Sequence, residues 1–544
     1  MNKLDEKYTQ YATKVLNGDI VAGLYIKLAA QRFFDFLQRE DMEFRTKKVD
    51  HVVKFISMLR HYTGKCNNQP FILSDWQYFI VENIFGFYWK GTDKRVCKNA
   101  YIEVGRKNGK SALISAIALY CLIADGENGA ECDCIANSRQ QAKILFDMAG
   151  NFSKSLDPKQ KFLKLYRDKI KFDATSSYMQ VLASDATTLD GFNSSLFVQD
   201  ELHAAKDSRL YDVLKSSMGM RENPLAICIT SAGFNRFGFC FHMRQTCAEI
   251  LRNVKKDDSQ FTAIYCIDED DKWDDEKCWI KANPNLDVTV TSEYIREQIV
   301  AAKNNSTLEV SVRTKNLGEW LTSSDIWISD DILLKSTKHI DLKDFNGCIG
   351  YIGVDLAAVS DLTAISLMIN KDDKYYFKSW YYLPSSALVD NSNSELYKDW
   401  KRKKLLTITE GNVTDYSQII NDLHEISKYI MIDKIAYDSW NSTQWAIDAT
   451  EQGFPLQPFS QSLGNFNRPT KEIERLLKNN QVIIDDNEIT RFCFSNVVLK
   501  FDWNENCKPT KEENQNKIDG VISMIESLGI FLEQPKYDNE ITVV

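Results

Sequence analysis

Paired cysteines of the CxxC kind are missing from this sequence. Its 13 cysteines are scattered singly, with Cys132-Asp133-Cys134 the one close pair, so neither a zinc site nor a disulfide framework is expected. Reduced, mostly buried thiols in a cytosolic compartment are the simpler account. Long uncharged apolar runs are missing too, which excludes a bilayer-spanning helix, and the opening MNKLDEKYTQ is too polar for a secretory signal. A soluble intracellular protein is the expectation. Nor is there an excess of positive charge. The formal net charge of −9 argues against wholesale coating of nucleic acid, although a local basic track can still contact phosphates. What is present is enough apolar material, 44% of 544 residues, for two or three domains with more than one core.

The chain is organised around YIEVGRKNGKSALISAIALY, Tyr101 to Tyr120. Ala100 to Val104 is a short apolar run ending at Gly105, and Ser111 to Leu122 has the apolar spacing and helix-forming residues of a buried α-helix. The turn between them is Gly105, Arg106, Lys107, Asn108 and Gly109. Backbone N–H groups of a glycine-containing turn that opens onto a helix N-terminus are placed to cradle phosphate oxygens. Lys110 would reach the β- and γ-phosphates of ATP, and Ser111 would hold Mg²⁺. The two glycines enclose three residues where the general phosphate-loop pattern has four, so the motif read alone also fits an ordinary strand-to-helix turn.

A second signal is SSLFVQDELHAA, Ser194 to Ala205. Leu196 to Val198 reads as a buried strand ending in paired acids, where Asp200 would hold the Mg²⁺ shell and Glu201 would polarise the attacking water. Two acids after an apolar run also fit a helix start. The two signals stand in the right order, about ninety residues apart, with strand and helix candidates between them as an α/β nucleotide-binding sheet requires.

Before the loop, Val21 to Phe36 and Val52 to Tyr62 read as helices, and Pro70 to Trp89 as one aromatic-rich helix with Ser74 and Asp75 as caps. Gln77 is placed to hydrogen-bond an adenine edge, while Trp76 reads as core packing. After the loop, Cys132 to Ala136 reads as a strand and Ser138 opens a helix on which Arg139 would reach the γ-phosphate of a neighbouring subunit's ATP, against the default of a surface arginine. Leu225 to Ile229 is a further buried strand. The Thr230-Ser231-Ala232-Gly233 stretch after it offers small hydroxyl residues placed to sense the γ-phosphate and relay its loss.

GRKNGKS, ANSRQQA, SDATTLDGFNSSLFVQDELHAAKD, TSAG and, further on, GVDLAAVSDLTA follow one another in this order. Together they resemble the large terminase subunit of tailed double-stranded DNA phages, over nearly the whole chain from about Pro70 to Leu532. The resemblance implies an α/β protein with an N-terminal P-loop ATPase domain of the ASCE type, followed by a ribonuclease H-like nuclease domain. It makes Arg106 and Lys110 phosphate ligands, Ser111 and Asp200 magnesium-side groups, Glu201 the catalytic glutamate, Thr230 the coupling residue and Arg139 the candidate trans-acting finger. A shortened phosphate loop is ordinary in that family. The work implied is ATP-driven translocation of double-stranded DNA into the procapsid and metal-dependent cutting of concatemeric DNA, in the cytoplasm of the infected bacterial host. The implied partners are a small terminase subunit and the portal protein of the procapsid. Subunits are expected to form a homo-oligomeric ring on the portal, with a monomer open in isolation.

In the second half, Cys348 to Val354 reads as a buried strand ending at Asp355, with Thr363 to Ile369 as its hairpin partner, and Lys434 to Tyr437 as a strand ending at Asp438. Asn516 to Phe531 reads as an amphipathic helix carrying Asp519. Any one such Asp also fits ordinary turn chemistry. Three carboxylates from two strand ends and one helix are what a ribonuclease H-like fold gathers around two Mg²⁺ or Mn²⁺ ions. The resemblance gives Asp355, Asp438 and Asp519 that role, with Asp361 an auxiliary fourth. His339 and His424 read as lone histidines, not ligands. Lys401-Arg402-Lys403-Lys404 is the densest basic cluster and a candidate duplex contact, though basic residues also suit the end of a helix. The expected organisation is a helical region at 1–64, the ATPase domain at 65–325, a linker at 326–346, the nuclease domain at 347–535 and a tail at 536–544. Two rivals remain: a helicase-nuclease of the DNA-repair type, whose second motor domain is not legible here, and a non-catalytic scaffold, against which Lys110 and the acids stand.

Overall fold

The continuous apolar runs of the sequence become the inner strands of two separate sheets. The computed structural model describes residues 4–182, 191–303, 306–321, 327–328, 330–356, 362–388, 393–439, 443–503, 505–511 and 516–533. Asp361 lies outside the described residues. The chain divides into two compact units, Met1–Leu321 and Thr322–Val544. The stretch 326–346, expected as a linker, contains a helix, Asp330–Ser336, and a single 3₁₀ turn, Leu342–Phe345.

Among the described residues, ten strands belong to the first unit: β1 (Met42–Phe44), β2 (Phe87–Trp89), β3 (Asn99–Glu103), β4 (Glu131–Ile135), β5 (Leu163–Leu165), β6 (Lys169–Phe172), β7 (Ser177–Val181), β8 (Leu196–Gln199), β9 (Leu225–Thr230) and β10 (Gln260–Ile264). β1 and β2 form a small antiparallel ribbon. That ribbon corrects the expectation of one helix from Pro70 to Trp89. The helix is Asp75–Phe85, begun by a reciprocal cap between Ser74 and Gln77, and the chain then leaves it to pair with β1. Aromatic residues suit strand and helix alike, so the partner strand decides.

The other eight strands form one sheet in the order β10-β3-β9-β8-β4-β7-β6-β5, parallel from β10 to β7 and antiparallel at β6 and β5. β8 and β9 are buried along their whole length, as strands covered on both faces must be. Helix Lys110–Ile123 is buried nearly all round, and Arg139–Leu156 packs against it. This order has one consequence for chemistry. β3, which feeds the phosphate loop, and β8, which feeds Asp200 and Glu201, flank β9, whose last residue is Thr230. All three sequence signals therefore emerge side by side at the carboxyl ends of adjacent parallel strands, where open α/β sheets bind ligands.

The second unit holds β11 (Ile349–Asp355), β12 (Thr363–Lys371), β13 (Lys374–Pro384), β14 (Thr407–Thr409), β15 (Met431–Tyr437), β16 (Leu456–Pro458), β17 (Val482–Ile484), β18 (Val498–Phe501) and β19 (Cys507–Thr510). Its main sheet runs β14-β13-β12-β11-β15-β16, with β17 also pairing β13. β11, β12 and β13 are an antiparallel meander, while β15 is parallel to β11 and β16 to β15. β18 and β19 form a separate hairpin. Helix Asp519–Leu532 lies across β11 and β12 and is buried from Gly520 to Ile530. The expected amphipathic pattern fails for a physical reason. Its second face is covered by helices Leu463–Lys478 and Glu488–Ser495, so neither side meets water.

Candidate active sites

The first site begins where β3 ends. Val104 extends the pairing, its N–H donating to the Thr230 carbonyl at 3.1 Å. The chain then turns through Gly105–Gly109 and enters the helix at Lys110. Gly109 sits at φ +84° as the helix N-cap, and Lys107 also takes a left-handed conformation at φ +64°. Gly105 is needed for a different reason: a side chain there would meet the Asn283 Oδ1 at 2.9 Å.

The back of the loop is gripped by the segment that follows β10. Gly105 N–H donates to the Ala282 carbonyl at 3.2 Å and Arg106 N–H to the Lys315 carbonyl at 3.0 Å. Asn108 is fully buried. Its Nδ2 donates to Asn283 Oδ1 and the Gly105 carbonyl at 2.9 and 3.0 Å, and its Oδ1 accepts from Asn285 N–H at 3.1 Å. Asn285 Nδ2 in turn donates to the Asn108 carbonyl at 2.9 Å, and its Oδ1 accepts from Trp76 Nε1 at 2.8 Å. The Asn108 carboxamide thus faces inward. Gln77 lies beside Gly109, but its Oε1 accepts from Ser74 N–H at 3.1 Å, which leaves only the amide nitrogen toward the loop. Arg106 is exposed, and Lys107 lies 4.0 Å from the centre of the Tyr294 ring.

The acids stand opposite. Glu201 Oε1 lies 3.5 Å from Lys110 Nζ. That ammonium is buried without a hydrogen-bond partner, an orphan that a phosphate oxygen would satisfy. Glu201 occupies the left-handed region at φ +48°, and its N–H donates to Asp200 Oδ1 at 2.8 Å. Burial pushes the Asp200 carboxyl up to about 6; the neighbouring Glu201 charge adds to this and Lys110 opposes it.

His203 joins the two halves of this site. Its Nδ1 is 3.3 Å from Glu201 Oε2 and 3.1 Å from Thr230 Oγ1, and its backbone N–H donates to the same Oγ1 at 3.0 Å. Thr230 donates its own proton to the Ser231 carbonyl at 2.7 Å. Burial lowers the His203 pKa, and the neighbouring Glu201 charge opposes that shift. Sequence reasoning missed His203, although it stands two residues beyond Glu201.

Arg139 begins helix Arg139–Leu156, with its Nη2 2.9 Å from Asp168. It follows β4, three strand spacings from β3, or about 14 Å. It is 57% exposed, and β4 pairs directly with β8, the strand that feeds Glu201.

The second site is built on the ends of β11 and β15. Val354 pairs with Tyr437, so Asp355 and Asp438 leave adjacent parallel strands side by side, about 5 Å apart in the backbone. Asp519 opens the helix that lies across those strands. Gly353 permits the approach, since a side chain there would meet the Ser523 carbonyl and lie 2.9 Å from Glu526 Cβ. Two further residues, unseen in the sequence, enter here. Gln461 Nε2 donates to Asp355 Oδ1 and to Glu526 Oε1, both at 3.1 Å. Glu526 is fully buried and its Oε2 has no hydrogen-bond partner. Burial, then Asp355 and Asp438, push its carboxyl well above the usual carboxylate range. Burial raises the buried Cys493 thiol, and the charges of Asp519 and Asp355 add to the rise.

Among the described residues, no three His, Cys, Asp or Glu side chains converge closely enough to hold an ion as they stand. The donor chemistry of the acids is nevertheless of one kind, carboxylate oxygen without imidazole or thiolate, which suits a hard divalent cation. His339 is largely exposed beside Asp485, and His424 packs its ring against Phe454. In the basic cluster, Lys403 pairs with Asp399 and Glu488 at 2.9 and 2.8 Å, and Arg402 also pairs with Asp399.

Two family models match the chain: terminase large subunit, ATPase domain, over residues 75–249, and terminase large subunit, endonuclease domain, over residues 254–534. The chain belongs to the terminase large subunit family. Among curated relatives of this terminase large subunit, the protein YmfN of Escherichia coli K12 is 29% identical over 366 residues, covering 64% of this chain and 80% of that protein. The terminase large subunit of Enterobacteria phage HK97 is 26% identical over 484 residues, covering 86% of this chain and 92% of the relative. The crystal structure of the HK97 bacteriophage large terminase has the same fold, with a TM-score of 0.51, 23% identity and coverage of 89% of this chain and 99% of that one. The terminase large subunit is thus an α/β enzyme of two domains, an ATPase followed by an endonuclease, and its work is phage DNA packaging and cleavage. Those domains use nucleotide and divalent metal. The matched models leave the helicase-nuclease alternative without support. The endonuclease model begins inside the first compact unit, whose residues after 254 include the asparagines that grip the phosphate loop. Among the described residues, no helix is long and apolar enough to cross a membrane.

Proposed function

We propose that the first site hydrolyses ATP to drive double-stranded DNA into a procapsid, and that the second cuts the concatemer. The carrying observation is the 3.5 Å approach of Lys110 to Glu201 across the carboxyl ends of β3 and β8. At that distance the two charges attract each other. Lys110 would turn to the β- and γ-phosphates, and Glu201, released, would accept a hydrogen bond from the attacking water and align it. The backbone of the loop, from Lys107 to Ser111, cradles the phosphates, with Arg106 reaching over them. Ser111 and Asp200 are the groups that would hold Mg²⁺, which when bound neutralises charge on the phosphate oxygens. Thr230, tied to Glu201 through His203, feels loss of the γ-phosphate and passes it to the Ser231–Gly233 stretch.

The nuclease reading rests on Asp355, Asp438 and Asp519 as ligands for two Mg²⁺ or Mn²⁺ ions, whose chemistry is to stabilise the attacking and leaving oxygens of a phosphodiester. Arg139, exposed at the start of its helix, serves the nucleotide of a neighbouring subunit in a ring on the portal protein. A small terminase subunit selects the DNA, in the cytoplasm of the infected host. The ATPase occupies residues 65–325 and the nuclease 347–535, joined through 326–346.

The test is ATP binding and turnover. Lys110→Ala should lose both, whereas Glu201→Gln should keep binding and lose turnover by about 10²-fold or more. Wild-type turnover in both variants would end the ATPase assignment. Plasmid digestion with Mn²⁺ by Asp355→Asn tests the second site, where digestion equal to wild type would end the metal reading.

A further inference from the structure

Gln461 stands just before Ser462, the N-cap of helix Leu463–Lys478. It is held from both sides: Lys508 Nζ donates to its carbonyl at 3.1 Å, and Asn465 Nδ2 donates to the Ser460 carbonyl at 3.1 Å. The backbone of this residue is therefore fixed before its side chain does anything. The side chain then reaches between two acids, its Nε2 donating at 3.1 Å to Asp355 Oδ1 and at 3.1 Å to Glu526 Oε1. The amide nitrogen, a donor with two N–H groups, serves both oxygens at once. Glu526 is seven residues beyond Asp519, two turns along one helix face. It backs the amide from inside the fold, where it is fully buried.

We infer that Gln461, backed by Glu526, is a positioning residue for the cation site: it pins Oδ1 of Asp355 and so fixes the orientation of that carboxylate toward the metal. The inference rests on the reading of Asp355 as a ligand. An outer hydrogen bond of this kind orients a ligand before the ion arrives, and its loss weakens metal binding more than it alters the reaction itself.

The experiment is Mn²⁺ binding to the full chain, followed by electron paramagnetic resonance, with plasmid nicking across the same Mn²⁺ range. Gln461→Ala should weaken Mn²⁺ binding about tenfold or more, raise the half-saturating Mn²⁺ for nicking by a similar factor, and lower kcat by less. Glu526→Gln, which keeps an acceptor for the amide, should lose less affinity than Glu526→Ala. Wild-type Mn²⁺ affinity in Gln461→Ala, with Asp355→Asn impaired, overturns the positioning role and leaves the site standing. Wild-type affinity in Asp355→Asn overturns the site, and the inference with it. A fall in kcat at unchanged Mn²⁺ affinity in Gln461→Ala also overturns it, because pinning a ligand must appear in binding first.

Discussion

The indole Nε1 of Trp320 lies 3.2 and 3.3 Å from the two carboxylate oxygens of Glu103, tying the end of the first unit to the foot of the phosphate loop. Glu103 is fully buried and also accepts from Arg244 Nε at 3.1 Å and Tyr101 OH at 2.7 Å. The Trp320 ring presses on Gly233, in the stretch that follows Thr230. One acid thus connects the loop strand, the helix after Gly233 and the residue next to the unit boundary.

Removing Glu103 should be far worse than removing Trp320. Glu103→Ala leaves the Arg244 guanidinium buried and uncompensated, at about 3–5 kcal/mol of stability. Trp320→Phe keeps the packing and loses one hydrogen bond among several, at about 1 kcal/mol. Denaturant unfolding of the two variants measures the contrast, and equal losses would mean that Arg244 has other partners sufficient to hold it.

The asparagine grip on the loop should appear in nucleotide affinity. Asn285→Ala removes the bonds to the Asn108 carbonyl and to Trp76 while leaving Lys110, Ser111 and Glu201 untouched. The KM for ATP is expected to rise several-fold, with a smaller fall in kcat, since a loop that must be ordered by its ligand binds it less tightly. An unchanged KM would show that the loop holds its shape unaided.

Arg139→Ala separates the surface reading from the trans-acting one. Its pairing with Asp168 is half exposed, so stability should change by less than about 1 kcal/mol. Isolated subunits should hydrolyse ATP as before, while the portal-bound assembly should slow by about 10³-fold or more. Equal rates before and after substitution in the assembly would return Arg139 to the surface.

Asp133, on β4, carries a pH-dependent cost. Burial raises its carboxyl to about 6, against an ordinary 3.8, with hydrogen bonds from Ser194 and Gln180 opposing the rise. Below about pH 4 the group is protonated in folded and unfolded chains alike. Between about pH 4 and 6 the unfolded chain gives up a proton that the folded one keeps, so stability falls as pH rises, and above that range the loss is complete. Asp133→Asn should therefore stabilise the protein at pH 7, with a ceiling of about 3 kcal/mol, and do little at pH 4. Calorimetry at the two pH values checks the sign.

What could be read directly from the residues was local. GRKNGKS between an apolar run and a helix-forming run, QDE at the end of LFV, and Asp355 and Asp438 at strand ends are patterns whose physics acts over a few residues: apolar burial, turn geometry and helix polarity. Those features stand where expected, and the order of the signals along the chain was enough to choose an α/β architecture. The helix expected through Trp89 failed because its last residues meet a partner strand from earlier in the chain.

The sequence by itself determined which residue types arrive at each strand end. Tertiary structure alone decided what surrounds them. Asn108 meets Asn285 across 177 positions, Trp320 meets Glu103 across 217, and Gln461 meets Asp355 across 106. Asn285, Trp320 and Gln461 have no local signature, because an amide or an indole N–H suits almost any surface until folding buries it beside one particular acceptor. The physical reason is desolvation: a polar group removed from water must find its partner within the fold, and that partner is set by strand order and helix packing, not by neighbours in the chain.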